Sequence, residues 1–87
     1  MAVRVRMFAA LREAAGRGET RVEPGRLPAV LDDLRARYGE PFTARLALCS
    51  VLLDGSTVQP DGDVEVVDGA ELALLPPVSG GSGSTRP

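Results

Sequence analysis

The sequence predicts a two-layer α+β domain, with a sheet of four to five strands packed on one long helix. Three observations predict it. Residues 3–7, VRVRM, alternate apolar and charged with a period of two, as a strand with one buried face does. Leu27, Val30, Leu31, Leu34 and Tyr38 recur at helical spacing and form one apolar stripe. From Leu48 onward, short apolar runs alternate with the turn dipeptides Asp54-Gly55, Asp61-Gly62 and Asp68-Gly69. A half-apolar sheet and a striped helix each need a cover, and packing one on the other supplies it.

The elements follow in order. Val3, Val5 and Met7 share the buried face of the first strand. Phe8 to Ala15 is rich in helix formers and stops at Gly16 and Gly18, which predicts a short helix. Glu19–Glu23 reads as a second strand that pairs with the first and ends at Pro24-Gly25. The long helix starts near Leu27, with Pro28 in its first turn, Gly39 at its C-terminal cap and Asp32, Asp33, Arg35 and Arg37 on its wet face. Pro41 breaks the chain, and Phe42 to Leu46 adds a short helical turn. Leu48–Leu53 reads as a buried strand, and Asp54-Gly55 turns it back through Thr57-Val58. Val64–Val66 is a short strand and Glu71–Leu75 the last one. Pro76-Pro77 ends it, because proline brings no donor to a ladder.

Composition narrows the function classes. At 87 residues the chain suits one small domain, expected over 1–77, with a flexible tail over 78–87 where Ser, Gly and Thr dominate. Phe8, Tyr38 and Phe42 are its only aromatics, so Leu, Val, Ala and Met must build the core. The net charge of −2 does not favour nonspecific nucleic-acid binding. Nine arginines and six acids precede or include position 45; six acids and Arg86 follow it. The arginines read as a solvated surface. The acids Asp61, Asp63, Asp68 and Glu71 are expected near the tail, where they would steer a basic partner. There is no lysine, so only the N-terminal amine can accept an acyl group. With no histidine and one cysteine, an internal disulfide, a cysteine-rich metal site and most hydrolytic centres are excluded. Cys49 reads as a small buried hydrophobe in a strand, without a neighbour that lowers its pKa. The scattered glycines and the missing lysine exclude a phosphate-binding loop of the G-x-x-x-x-G-K type. The N-terminal residues lack a signal-peptide apolar block, and no run is long enough for a membrane span, so a cytoplasmic location is expected.

The chain closes on LLPPVSGGSGSTRP. Six residues from Pro76 to Gly81 reach roughly 20 Å when extended. Pro76 and Pro77 stiffen the start of this segment, whereas Gly80 and Gly81 have no side chains and fit a narrow channel. A stiff stem with a slim tip suits an arm that enters another protein's active site.

The motifs VRMFAALREAAG and DGAELALLPPVSGG, at opposite ends of residues 3–81, resemble those of the MoaD/ThiS sulfur-carrier family, and MoaD more closely. The resemblance implies a ubiquitin-like β-grasp with a mixed sheet. It implies that Gly81, preceded by Gly80, bears the reactive carboxylate. An adenylating enzyme related to ubiquitin-activating enzymes would use ATP to activate it, and sulfur would replace an oxygen to give a thiocarboxylate. The carrier would bind no cofactor or metal itself. Its partner would be the large subunit of molybdopterin synthase or another sulfur acceptor, met through Leu72, Leu74, Pro76, Pro77 and Val78. Molybdopterin biosynthesis is the expected pathway; cysteine, thiamin, tRNA thiolation or a secondary metabolite are the alternatives. A ubiquitin-like modifier and a noncovalent binding module are readings from other classes.

The sequence departs from the family pattern after Gly81, where Ser82–Pro87 follow and leave an amide in place of the carboxylate. Three readings stand: a precursor cut after Gly81 by a trimming protease, six residues foreign to the natural chain, or a paralogue that acts only by binding.

Overall fold

The structure, a computed structural model, describes residues 2–76. The elements are β1 (Val3–Met7), α1 (Ala9–Ala15), β2 (Glu19–Val22), β3 (Gly25–Arg26), α2 (Leu27–Tyr38), α3 (Phe42–Leu46), β4 (Ser50–Leu53), β5 (Ser56–Val58), β6 (Glu65–Val66) and β7 (Glu71–Leu75). Five strands form one sheet in the order β2-β1-β7-β4-β5, and β3 pairs with β6 apart from it. The central strands β1 and β7 run parallel, while β1–β2, β4–β7 and β4–β5 are antiparallel. This mixed sheet, wrapped on α2, is the β-grasp arrangement.

The period-two pattern of β1 is realised in full, with Val3, Val5 and Met7 buried and Arg4 and Arg6 exposed. The stripe of α2 buries Leu27, Val30, Leu31 and Leu34 against that face, with Tyr38 partly buried at its end. Pro28 lies in the first turn, and the Gly39 N–H donates to the Arg35 carbonyl at 2.8 Å to close the helix. Phe42 and Leu46 of α3 and Leu11 of α1 complete the core, with the Tyr38 and Phe42 rings 4.9 Å apart. The hairpin turn takes positive φ at both Asp54 and Gly55, as a type I′ turn requires.

Two elements differ from expectation. β4 starts at Ser50, not Leu48. The N–H of Leu48 donates to the Arg45 carbonyl and that of Cys49 to the Leu46 carbonyl, so both are held by the end of α3. Pro24-Gly25 does not simply end the second strand. Gly25 and Arg26 pair with Val66 and Glu65, and the Leu27 N–H donates to the Val64 carbonyl at 2.8 Å. A two-residue strand carries no periodicity from which it can be read.

Candidate functional site

The C-terminal segment leaves the fold from its middle. β7 is flanked by β1 and β4, with Leu72 opposite Val5 and Leu53, and Leu74 opposite Met7 and Val51. A strand hydrogen-bonded on both sides cannot slide or fray as an edge strand does, so Leu75 and the exposed Pro76 give the segment a fixed point of departure. Pro77, Val78, Gly80 and Gly81 lie outside the described residues.

The parity of β7 corrects two of the expected partner contacts. Leu72 and Leu74 are fully buried in the core and cannot meet a partner. Their neighbours Glu71, Ala73 and Leu75 point the other way and are partly exposed, beside the partly exposed Leu52 of β4. Side chains alternate strictly along a strand, so burying 72 and 74 turns 71, 73 and 75 outward. The polar Glu71 at the start of the strand carried that information, and reading its parity would have singled out Ala73 and Leu75. Of the expected contacts within the described residues, Pro76 alone is on the surface. Phe8, which follows Met7 at this end of the sheet, is half-buried, with the Arg6 guanidinium 5.8 Å from its ring centre.

The acidic residues are not gathered at the tail. Glu71 opens β7 and Leu75 closes it, so Glu71 is about 13 Å from the exit at 3.3 Å per residue. Asp68 precedes it, in a loop where the Gly69 N–H donates to the Ala2 carbonyl. Glu71 pairs with Arg6 at 3.3 Å and Asp63 with Arg26, which offsets part of their charge. Arginines 4, 35 and 37 are paired in the same way with Glu19, Asp32 and Asp33. These pairs are exposed, and such pairs add little stability.

Cys49 is half-buried between α3 and β4 rather than inside a strand. Its thiol donates to the Arg45 carbonyl at 3.4 Å, and burial pushes its pKa above the ordinary thiol value. Fewer thiolates at neutral pH mean a weaker nucleophile, the reverse of what a catalytic cysteine needs. Among the described residues no three His, Cys, Asp or Glu side chains gather as a metal site. No helix among them is long and apolar enough to cross a membrane.

A β-grasp domain whose central strand projects toward a glycine pair belongs to the class of ubiquitin-like carrier proteins. Comparison with known proteins agrees. The ThiS family model matches residues 5–81, and the chain belongs to this family of small sulfur carriers. The crystal structure of small archaeal modifier protein 1 (SAMP1) from Haloferax volcanii is 27% identical with a TM-score of 0.77, covering 93% of this chain and 100% of that one. The complex of subunits 1 and 2 of the molybdopterin-converting factor from Helicobacter pylori contains a chain 25% identical, with a TM-score of 0.69 and coverage of 93% and 100%. The BexX/CysO complex of Amycolatopsis orientalis contains one 28% identical, with a TM-score of 0.76 and coverage of 92% and 100%. No curated protein matches by sequence.

Proposed function

We propose that this chain carries sulfur as a thiocarboxylate on Gly81 and delivers it in molybdopterin biosynthesis. The observation that carries the reading is where the family match stops: it spans the fold and both glycines and ends at Gly81, six residues before Pro87. The chemistry then follows a fixed order. Hydrolysis of the Gly81-Ser82 amide first releases a carboxylate. A carboxylate is a poor acyl donor, so an adenylating enzyme of the ubiquitin-activating type joins it to AMP, expelling pyrophosphate from ATP. A sulfur nucleophile displaces AMP, leaving sulfur where an oxygen was. The chain is a carrier subunit and supplies none of these catalytic groups. Its nucleotide and protease act from partner proteins, and it holds no cofactor of its own.

The sulfur acceptor in this reading is the large subunit of molybdopterin synthase. Support comes from the similarity to a chain crystallised as a subunit 1 and 2 complex of the molybdopterin-converting factor. Pro76, Leu75, Ala73 and Leu52 form the contact surface around the departing segment, in place of Leu72 and Leu74. Pro77 and Val78 extend that contact along the tail. The similarity to a CysO chain seen in complex with BexX supports delivery to another acceptor as a second pathway. The similarity to an archaeal modifier protein supports a different class, in which Gly81 is joined to lysines of target proteins.

Intact mass of the chain after incubation in an extract of its own cells, with ATP and sulfide, tests the proposal. The expected product ends at Gly81 and has one oxygen replaced by sulfur. Isopeptide adducts on other proteins would mark the modifier. A chain that stays at 87 residues would leave only a noncovalent binding module.

A further inference from the structure

We infer that a small apolar groove beside Pro76 is a docking site for the protein that activates the C-terminal carboxylate, which fills it with one aliphatic side chain and places a carboxylate against Arg45. The inference rests on the sulfur-carrier reading and adds to it a surface on the helical side of the molecule.

The groove lies between α1 and α3 and has a volume of about 180 Å³. Ala10, Leu11, Arg45, Leu48, Cys49 and Pro76 line it. That is room for a single aliphatic side chain. Leu48 stands on its wall with 66% of its surface exposed, the largest value for a big apolar residue among the described residues. It is not a loose end. Its own N–H and that of Cys49 are tied to the Arg45 and Leu46 carbonyls, and the Cys49 thiol also donates to the Arg45 carbonyl. The turn therefore holds Leu48 outward in a fixed position. Covering a leucine side chain is worth roughly 1.5–3 kcal/mol, so a partner gains from seating on it.

Charge specifies what the partner presents. Five arginines are ion-paired, at positions 4, 6, 26, 35 and 37. Arg45, at the rim of the groove, makes no ion pair among the described residues and faces solvent. A carboxylate on the partner would give it a charge-assisted hydrogen bond without disturbing an existing pair.

Position specifies which partner. Pro76 is at once a wall of the groove and the residue from which the tail departs. A protein that draws Gly81 into its own active site must bring its surface against Pro76, and the groove is then within the same footprint. Ala73 and Leu75 lie on the outer sheet face, on the opposite side of β7 from the core. A partner gripping both sides would hold the tail root as a clamp and fix the line along which the tail enters.

The sole thiol of the chain lies on the groove wall, so the groove can be blocked without mutation. Four forms of the full chain are compared in cell extract with ATP and sulfide: unmodified, Cys49 alkylated with a bulky maleimide at mildly alkaline pH, Leu48→Asp, and Val67→Asp. Val67, 57% exposed, is the control, because its loop lies at the far end of β7. Arg45→Glu is a fifth form, testing the charge. Circular dichroism melts verify that each is folded. Intact mass separates full-length, trimmed and thiocarboxylated chains. The alkylated, Leu48→Asp and Arg45→Glu forms are expected to accumulate as trimmed chains without sulfur. Their initial sulfuration should fall at least tenfold at low carrier concentration and largely recover at high concentration, with Val67→Asp unaffected. Equal sulfuration of all forms would overturn the inference. So would a block before trimming, which would assign the groove to the protease, or normal sulfuration with slow onward transfer, which would assign it to the acceptor. No sulfur on the unmodified chain would instead defeat the sulfur-carrier reading, and the inference with it.

Discussion

Leu74 and Leu75 are adjacent in sequence and have opposite tasks. Leu74 is buried between Met7 and Val51, whereas Leu75 is partly exposed beside the start of the tail. Leu74→Ala should cost about 2–5 kcal/mol in urea unfolding, through lost burial and the cavity it leaves. Leu75→Ser should change stability by less than about 1 kcal/mol, because it empties no closed site. If the contact surface is placed correctly, Leu75→Ser should instead slow sulfur transfer to the acceptor, measured by mass at limiting concentrations. Cys49 gives a pH test. Burial pushes its thiol upward, so the folded chain holds that proton more tightly than the unfolded one. Alkylation at pH 8 should therefore be slower in the native chain than in urea, and should accelerate as pH rises past the ordinary thiol value. The same shift removes stability as pH rises above that value and leaves it unchanged below. Equal rates in native and unfolded chains would show that the thiol is not shielded.

At the scale of elements, legibility followed periodicity. β1 and α2 could be read residue by residue, because five and twelve residues give a pattern enough repeats to be distinguished. The turn at Asp54-Gly55 was legible from chemistry alone, since few residue pairs accept positive φ twice. Gly55 has φ +88, and a Cβ there would meet no atom within 4 Å. Gly55→Ala should therefore cost about 1–2 kcal/mol from backbone strain without any clash, measurable as a lower urea midpoint. β3 and β6 were hidden, because two residues have no period and their pairing depends on where the rest of the fold brings them. Leu48 and Cys49 look like strand residues by composition. The end of α3 took their N–H groups, and a tertiary constraint overrode the local preference. The candidate site was legible in part. Pro76 was placed on the surface by its inability to pair, but the face of β7 depends on a one-residue parity that a run of apolar residues obscures.

For the whole molecule, the order of elements predicted a two-layer fold, and the sheet topology fulfils it with β7 at the centre. Charge counted along the chain did not predict charge in space. The acids after position 45 do not collect at the exit, and two of the four expected to steer a partner are already paired. Steering by those acids is consequently a weak contribution. Changing Asp61, Asp63, Asp68 and Glu71 together to Asn or Gln should alter the association rate with the adenylating enzyme by less than about threefold at physiological salt, where the Debye length is about 8 Å. Stopped-flow measurement across salt concentrations checks this. What the molecule offers a partner is instead a fixed origin for a narrow tail, given by a strand paired on both sides.

Tandem mass spectrometry of the C-terminal peptide, recovered from the chain's own cells, tests the central claim most directly. The account predicts a peptide that ends at Gly81 and carries sulfur in place of one terminal oxygen. A peptide that always continues into Ser82, or a Gly81 always joined to the lysine of another protein, would contradict it.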